Sequence, residues 1–344
     1  MVTEAEISAL DSLLNRSSKI TIISHFNADG DAVGSSMGAY HFLKMRRKNV
    51  NVILPNVIAD YLQFLNPSDN PILFFKENRE ECIDIINESD LILCLDLNGF
   101  NRTEYLEDVL LQTTAKKVLI DHHLNPKVEE FDLVISRIET SSASELLFWI
   151  LMGMPEINHA VNRMTLECAT ALYTGMMTDT NNFSNSVLPS TFQMASKLLE
   201  RGVEKMRIQE TVLNCYSADR MRLMGHILKD RMVYMPDAGV AYVTLSQRDK
   251  LSYNFQNGDS EGFVNLPLSI LGVNISAFFS ESHNGERPYV KVSFRSKGDY
   301  DVNLFAQRYF NGGGHKNASG GKLYMPLRRV PKYFERVLKE YLQK

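Results

Sequence analysis

The sequence predicts an α/β protein: an N-terminal parallel sheet covered by helices, a helical connector, and a smaller α+β domain at the C-terminal end. Three observations carry this expectation. Short apolar runs alternate with helix-length segments through the first half of the chain, the order that lays parallel strands side by side with helices on both faces. From Pro189 to about Arg231 the periodicity is helical throughout, with charged faces and no Pro- or Gly-rich tract to act as a flexible linker. Beyond that point strand patterns return. The expected divisions are 1–188, 189–230 and 231–344, two domains being the ordinary outcome for 344 residues.

The β-branched run 19–25 ends on His25 and reads as the first strand, followed by a helix over 31–48. Residues 51–54 make a second strand. Residues 77–87 are helical, 90–96 form an apolar strand ending on Asp96, 104–112 are helical, and 116–121 form a strand ending on Asp121. Helices follow at 144–153 and 158–177, the latter with Leu166, Ala169, Leu172 and Met176 on one stripe. In the last third, 239–246, 274–280 and 289–295 read as strands, with 282–288 the turn of a hairpin between the last two. Residues 302–310 and 331–342 are helical.

Hydrophobic content of 44% and charged content of 23% describe a globular chain with a large core. A net charge of −4 disfavours a grip on long duplex nucleic acid, yet allows a short phosphorylated substrate in a local basic pocket. The N-terminus, Met-Val-Thr-Glu-Ala-Glu-Ile, is acidic and amphipathic, unlike a signal peptide. The longest charge-free stretch, 262–280, is interrupted by Asn265, Pro267, Gly272 and Asn274 and reads as loop plus strand rather than a membrane span. Cys82, Cys94, Cys168 and Cys215 lack metal-ligand spacing and are expected to be buried free thiols. A cytoplasmic protein with no membrane association is the expectation.

Five acidic or His-bearing knots carry the chemistry: His25-Phe-Asn-Ala-Asp29-Gly-Asp31, Asp96, Asp121-His122-His123, Asp179 and, far downstream, Gly312-Gly313-Gly314-His315. Between Ile20 and Leu43 there is no Lys or Arg. Carboxylates and imidazoles gathered without cations are costly to bury unless a metal supplies the charge. His25, Asp96 and Asp121 each close an apolar run, and open parallel sheets bind ligands beyond the carboxyl ends of their strands. Gly30 is expected to let the backbone turn so that Asp29 and Asp31 face one cleft. A mixed imidazole and carboxylate set suits Mn²⁺ or a related divalent ion better than Ca²⁺, and lacks the thiolates of structural zinc.

Each residue alone has a plainer explanation. Asp29 or Asp31 is a helix N-cap, Asp179 a cap or turn residue, Asp96 a loop residue, and His122 or His123 a satisfied half-buried imidazole. Phe183, Phe263 and Phe278 are core residues before they are base-stacking platforms. The glycine run fails the P-loop pattern and, with Asn317 in the last place, fails Gly-x-Gly-x-x-Gly. As a bare loop it is structural, although consecutive glycines can form an anion nest, with His315 and Arg295 as further donors. It is the conjunction of all five knots that points to a metal-dependent hydrolase.

The ordered set His25-x-x-x-Asp29-x-Asp31, Asp96, Asp121-His122-His123 and Asp179 resembles the four motifs of the DHH phosphoesterase superfamily. Ser293-Phe-Arg295-Ser296, followed by Asn311-Gly-Gly-Gly-His315-Lys-Asn-Ala-Ser-Gly320, resembles the DHH-associated C-terminal domain. The length and domain pair look most like the nano-RNase/pAp phosphatase branch. RecJ exonucleases carry extra domains, and family II pyrophosphatases a different C-terminal domain. Ala28 departs from the pattern, which more often has Pro there, at a position that holds no ligand.

The resemblance implies two divalent metal ions, Mn²⁺ foremost. His25, Asp29 and Asp96 would hold the first, with Asp179 a further candidate, and Asp31, Asp96, His122 and Asp179 the second, with Asp96 as bridge. Asp121 would orient His122, and His123 would meet a phosphate or give a proton to the leaving oxygen. Arg295, Ser296, Gly313, Gly314 and His315 would bind substrate, so that the second domain measures its length. The implied reaction is hydrolysis of short RNA oligonucleotides to mononucleotides and of 3′-phosphoadenosine 5′-phosphate to AMP, with two ions activating a water and clamping phosphoryl oxygens. Alternatives are a phosphodiesterase for linear pApA and other cyclic-dinucleotide products, and an exopolyphosphatase. A nucleotide sensor without catalysis is disfavoured because every ligand position is filled. A homodimer is compatible with all of these.

Overall fold

The computed structural model describes residues 2–69, 71–256, 258–283 and 288–342. The chain divides into two compact units, Met1–Cys215 and Tyr216–Lys344. The division falls inside the stretch read as a connector.

The first unit runs α1 (Glu4–Arg16), β1 (Lys19–Ile23), α2 (Gly30–Met45), β2 (Asn49–Leu54), β3 (Ile72–Phe74), α3 (Arg79–Glu88), β4 (Leu91–Leu95), α4 (Glu107–Gln112), β5 (Lys116–Asp121), β6 (Leu133–Ser136), α5 (Ala143–Gly153), α6 (Leu166–Asp179), α7 (Pro189–Glu200) and α8 (Lys205–Val212). The six strands form one parallel sheet in the order β3-β2-β1-β4-β5-β6. Alternate residues serve two cores. Ile20, Ile22, Leu91, Leu93 and Leu95 pack with α2, α5 and α6, whereas Ile23, Ile92, Cys94 and Leu119 pack with α3 and α4. Burial on both faces is why these strands read as unbroken apolar runs.

Local chemistry sets the helix starts. Thr3 and Glu6 close a capping box on α1, Ser142 caps α5 by accepting from Glu145 N (2.9 Å), and Thr165 caps α6. Thr165 explains why the helix expected over 158–177 begins only at Leu166. Before it lies a 3-10 turn, Val161–Arg163, preceded by left-handed Asn158 and His159.

The second unit holds α9 (Ala218–His226), β7 (Met232–Met235), β8 (Val240–Leu245), α10 (Gln247–Ser252), β9 (Ile275–His283), β10 (Pro288–Ser296), α11 (Val302–Tyr309), β11 (Gly313–His315), β12 (Ala318–Leu323) and α12 (Val330–Leu342). Its sheet has the order β11-β12-β10-β9-β8-β7 and is antiparallel except between β8 and β9. Val302 and Phe305 of α11 and Phe334 and Val337 of α12 cover one face, and Leu223 of α9 with Phe263 the other. The hairpin expected around 282–288 is present as the antiparallel pair β9/β10, with Pro288 opposite His283, while residues 284–287 of its turn lie outside the described residues. Strands β3, β6, β7, β11 and β12 escaped the sequence, being short or glycine-rich. Cys82, Cys94 and Cys168 are buried free thiols, but Cys215 is exposed, contrary to expectation. No helix among the described residues is long and apolar enough to cross a membrane.

Candidate metal centre

The strand order reverses at β1, which pairs with β2 on one side and β4 on the other. At such a point the loops leaving neighbouring strands part and open a crevice. His25 follows β1 and Asp96 follows β4, and there they meet: His25 Nε2 lies 3.4 Å from Asp96 Oδ2. Ser24 Oγ donates to the Leu95 carbonyl (2.7 Å), tying the two strand ends together. His25 Nδ1 lies 2.9 Å from the Phe26 carbonyl oxygen, which can only accept, so Nε2 is the nitrogen left to face the carboxylates.

Asp96 has a left-handed backbone, φ 58°, which Asp tolerates better than most residues but still at a cost. The return is geometric. Its Oδ1 lies 3.5 Å from both His122 Nε2 and His123 Nδ1, so one carboxylate touches all three imidazoles.

Asp29 is both things the sequence allowed. Its Oδ1 caps α2, accepting from Asp31 N (3.0 Å) and Ala32 N (3.1 Å), and lies 3.8 Å from His25 Nε2. Asp31, only 2% exposed, accepts from Ala143 N (2.6 Å) and Ser144 N (2.9 Å) at the first turn of α5. A helix N-terminus thus holds a buried carboxylate in place, with Oδ2 3.9 Å from His122 Nε2. Asp179, the last residue of α6, approaches the same nitrogen at 3.6 Å.

Asp31 and Asp179 can converge because α2 and α6 pack unusually closely. Gly30, expected to serve a turn, is instead the first residue of α2, where a Cβ would collide with Thr178. One turn on, a Cβ on Gly34 would lie 2.6 Å from the Ala171 carbonyl oxygen and 2.7 Å from Gly175 N, and Gly38 abuts Leu172. The signal was in the sequence as glycines at 30, 34 and 38, one helix face repeating every four residues.

Charge balance follows from this crowding. Burial pushes the His25 imidazole down, but Asp29 and Asp96 outweigh it and raise its pKa to about 10. Burial likewise opposes His122, which Asp96, Asp179 and Asp31 raise to about 10. Burial drives Asp31 well above the usual carboxylate range, reinforced by Asp96 and Asp179. Asp96 resists burial and is held well below that range by hydrogen bonds with His122 and His25. The site is one of excess negative charge held by protonated imidazoles.

Such a donor set fits divalent ions. The donor atoms of His25, Asp29 and Asp96 lie within 4.8 Å of one another, as do those of Asp31, Asp96 and His122. His25 Nε2 and Asp96 Oδ1 are buried without a hydrogen-bond partner, the arrangement expected of atoms that ligate a metal rather than hydrogen-bond.

Asp121 departs from its expected role. Wholly buried at the end of β5, it accepts from the His123 backbone N (3.1 Å) and from His123 Nδ1 (2.7 Å), so it orients His123 and not His122. Arg102 was missed altogether. Its Nη1 lies 3.0 Å from His123 Nε2, and no motif spacing in the sequence brings residue 102 beside residue 123.

In the second unit the glycine run is a strand. Gly313, Gly314 and His315 pair with Gly320, Ser319 and Ala318, and Cβ atoms on Gly312 or Gly314 would strike the β12 backbone. The Gly314 N–H donates to Asn303 Oδ1 (2.9 Å), so it is not open to an anion as the nest reading required. Ser296 Oγ is also engaged, donating to the Tyr300 carbonyl (2.6 Å) and accepting from Asn317 Nδ2 (2.9 Å). Arg295 and His315 both stand opposite Ala318, one on each side, and so share one row and one face of the sheet. Phe263 and Phe278 are core residues, and Phe183 stacks on Phe192 at 5.6 Å.

The fold and the site together define a class. Residues 19–176 match the DHH family N-terminal domain and residues 237–343 the DHHA1 domain; the chain belongs to the DHH family of phosphoesterases. It is similar to the bifunctional oligoribonuclease and PAP phosphatase NrnA of Thermus thermophilus, 28% identical over 88% of this chain and 84% of that protein. It is also similar to the cyclic-di-AMP phosphodiesterase GdpP of Geobacillus thermodenitrificans, 25% identical over 92% of this chain and 46% of that protein. Among solved structures, an exopolyphosphatase-related protein of Bacteroides fragilis superposes with a TM-score of 0.91 at 39% identity, covering 99% of this chain and 97% of that one.

Proposed function

We propose that this protein is a phosphoesterase dependent on two divalent ions, Mn²⁺ foremost, that hydrolyses short oligoribonucleotides to mononucleotides and 3′-phosphoadenosine 5′-phosphate to AMP. The observation that carries this is the pair of donor groups sharing Asp96, in a chain similar along most of its length to an oligoribonuclease and PAP phosphatase. His25, Asp29 and Asp96 hold one ion, and Asp31, Asp96, His122 and Asp179 the other. When bound, such a pair supplies the charge that activates a water and stabilises phosphoryl oxygens. The protein supplies the geometry: the first turn of α5 fixes Asp31, the Phe26 carbonyl orients His25, and Asp121 orients His123. Arg295 and His315 of the second unit recognise a substrate phosphate. Linear pApA is the second reading; similarity to a cyclic-di-AMP phosphodiesterase supports action on an adenine-dinucleotide phosphodiester.

The test is a Mn²⁺-dependent turnover panel of a 5′-phosphorylated RNA dinucleotide, an RNA 20-mer, 3′-phosphoadenosine 5′-phosphate, pApA and polyphosphate, with His122→Ala as control. Fast turnover of the dinucleotide and the bisphosphate, lost in the variant, is the expected result. A preference for polyphosphate or the 20-mer would overturn the substrate assignment, and a preference for pApA would select the second reading.

A further inference from the structure

Arg102 sits in a 3-10 turn, Phe100–Leu106, that the fold holds firmly beside the metal centre. Its carbonyl accepts from Phe26 N (2.8 Å), its N–H donates to the Gly99 carbonyl (3.1 Å), and Phe100 N donates to Glu130 (2.6 Å). Tyr105 of the same turn packs edge-on against Phe26 at 5.6 Å. The segment carrying Arg102 is therefore fastened to the loop that carries His25.

The guanidinium is placed unusually. It lies beside an imidazole that itself touches Asp96 and Asp121, yet among the described residues no carboxylate forms an ion pair with it. Among the described residues its side chain bonds His123 Nε2 at 3.0 Å. A guanidinium has five donors and no acceptor, so Nε2 must accept, and the ring proton lies on Nδ1, where it is donated to Asp121 (2.7 Å). The three residues form a directed chain. Buried Asp121 fixes the His123 tautomer, and the His123 lone pair fixes one arm of Arg102. The remaining arms of the planar fork are the donors that suit a tetrahedral phosphoryl oxygen pair.

The geometry points to Arg102 as a substrate-binding residue that donates to the non-bridging oxygens of the phosphoryl group under attack, with Asp121 and His123 as its positioning residues. This rests on the phosphoesterase reading above. It assigns a protein cation that, beside the ions, meets the anionic substrate.

The test is calorimetric titration of the Mn²⁺-loaded protein with inorganic phosphate and with AMP, for wild type, Arg102→Gln, Arg102→Lys and His123→Asn. Losing charge-assisted hydrogen bonds should weaken phosphate binding by about 10- to 100-fold in Arg102→Gln. Arg102→Lys should recover only part of this, because a point charge cannot make the forked contact. Mn²⁺ affinity and thermal unfolding should stay at wild-type values in both arginine variants, and His123→Asn should weaken phosphate binding less than Arg102→Gln. Where the panel shows turnover, KM for the hydrolysed substrate should rise and kcat should fall in Arg102→Gln. Phosphate binding unchanged in Arg102→Gln, or a loss matched by an equal loss of Mn²⁺ affinity, would overturn the assignment; so would a wild type that binds no phosphate. A wild type that binds phosphate through Arg102 but hydrolyses nothing in the panel would instead refute the proposed reaction while leaving the subsite standing.

Discussion

Gly34→Ala is the substitution that most directly tests how the centre is assembled. The added Cβ would lie 2.6 Å from the Ala171 carbonyl oxygen, 2.7 Å from Gly175 N and 2.8 Å from Gly175 Cα. All three are backbone atoms of α6, so no side chain can rotate away. Ordinary contact begins near 3.4 Å, and the helices must part by about 0.8 Å to restore it. Overpacking of this kind costs about 1–3 kcal/mol, against a gain of up to about 1 kcal/mol in helix propensity. The net effect is a loss of stability of about 1–2 kcal/mol. The functional effect is larger in proportion, because metal ligands tolerate displacements of only about 0.2 Å and Asp31 and Asp179 ride on the two helices being separated. Urea unfolding with chelator present reads the first effect, and Mn²⁺ titration of the folded protein the second. Gly225→Ala, also within a helix but with nothing within 4 Å of the new Cβ, should gain stability by up to about 1 kcal/mol and bind Mn²⁺ normally. A Gly34→Ala protein as stable as Gly225→Ala, with unchanged Mn²⁺ affinity, would refute the idea that close helix approach builds the site.

Divalent-ion binding should release protons. His25 and His122 have pKa values raised to about 10, and an imidazole must be neutral to ligate, so apparent Mn²⁺ affinity should climb as pH rises from neutrality toward 10. Calorimetry in buffers of different ionisation enthalpy measures the release, and a pH-independent affinity would contradict the assigned ligands. Asp96→Asn should abolish turnover of every panel substrate and lower the number of ions bound, since both donor groups share Asp96; retention of full stoichiometry would count against the bridge. Asp31→Asn should lower stability by about 1–3 kcal/mol even in chelator, because an amide offers one acceptor oxygen where two backbone N–H groups now bond. Unfolding curves that superimpose on wild type would show that the first turn of α5 does not depend on that carboxylate.

The part of the site legible in the sequence was the part that local pattern specifies. His25, Asp96 and Asp121 each close an apolar run, and parallel strands buried on both faces must be such runs, so their ends and therefore the crevice could be found without coordinates. The absence of cations around Asp29 and Asp31 was equally a property of the chain alone. What it left undecided depended on contacts between residues far apart. Whether Asp121 bonds His122 or His123 depends on how the loop after β5 turns, and Arg102 reaches His123 only because its 3-10 turn is bonded back to Phe26. The glycines at 30, 34 and 38 look like helix weaknesses until α6 is seen to lie against them. Likewise Gly312 to Gly314 look like an anion loop until β12 and Asn303 claim their backbone. Residue types and their order along the chain determined which chemistry is present, because ligand identity and strand burial are local properties. Tertiary structure alone decided which of those groups are free to act, because each hydrogen bond is spent on a partner that only the folded chain supplies.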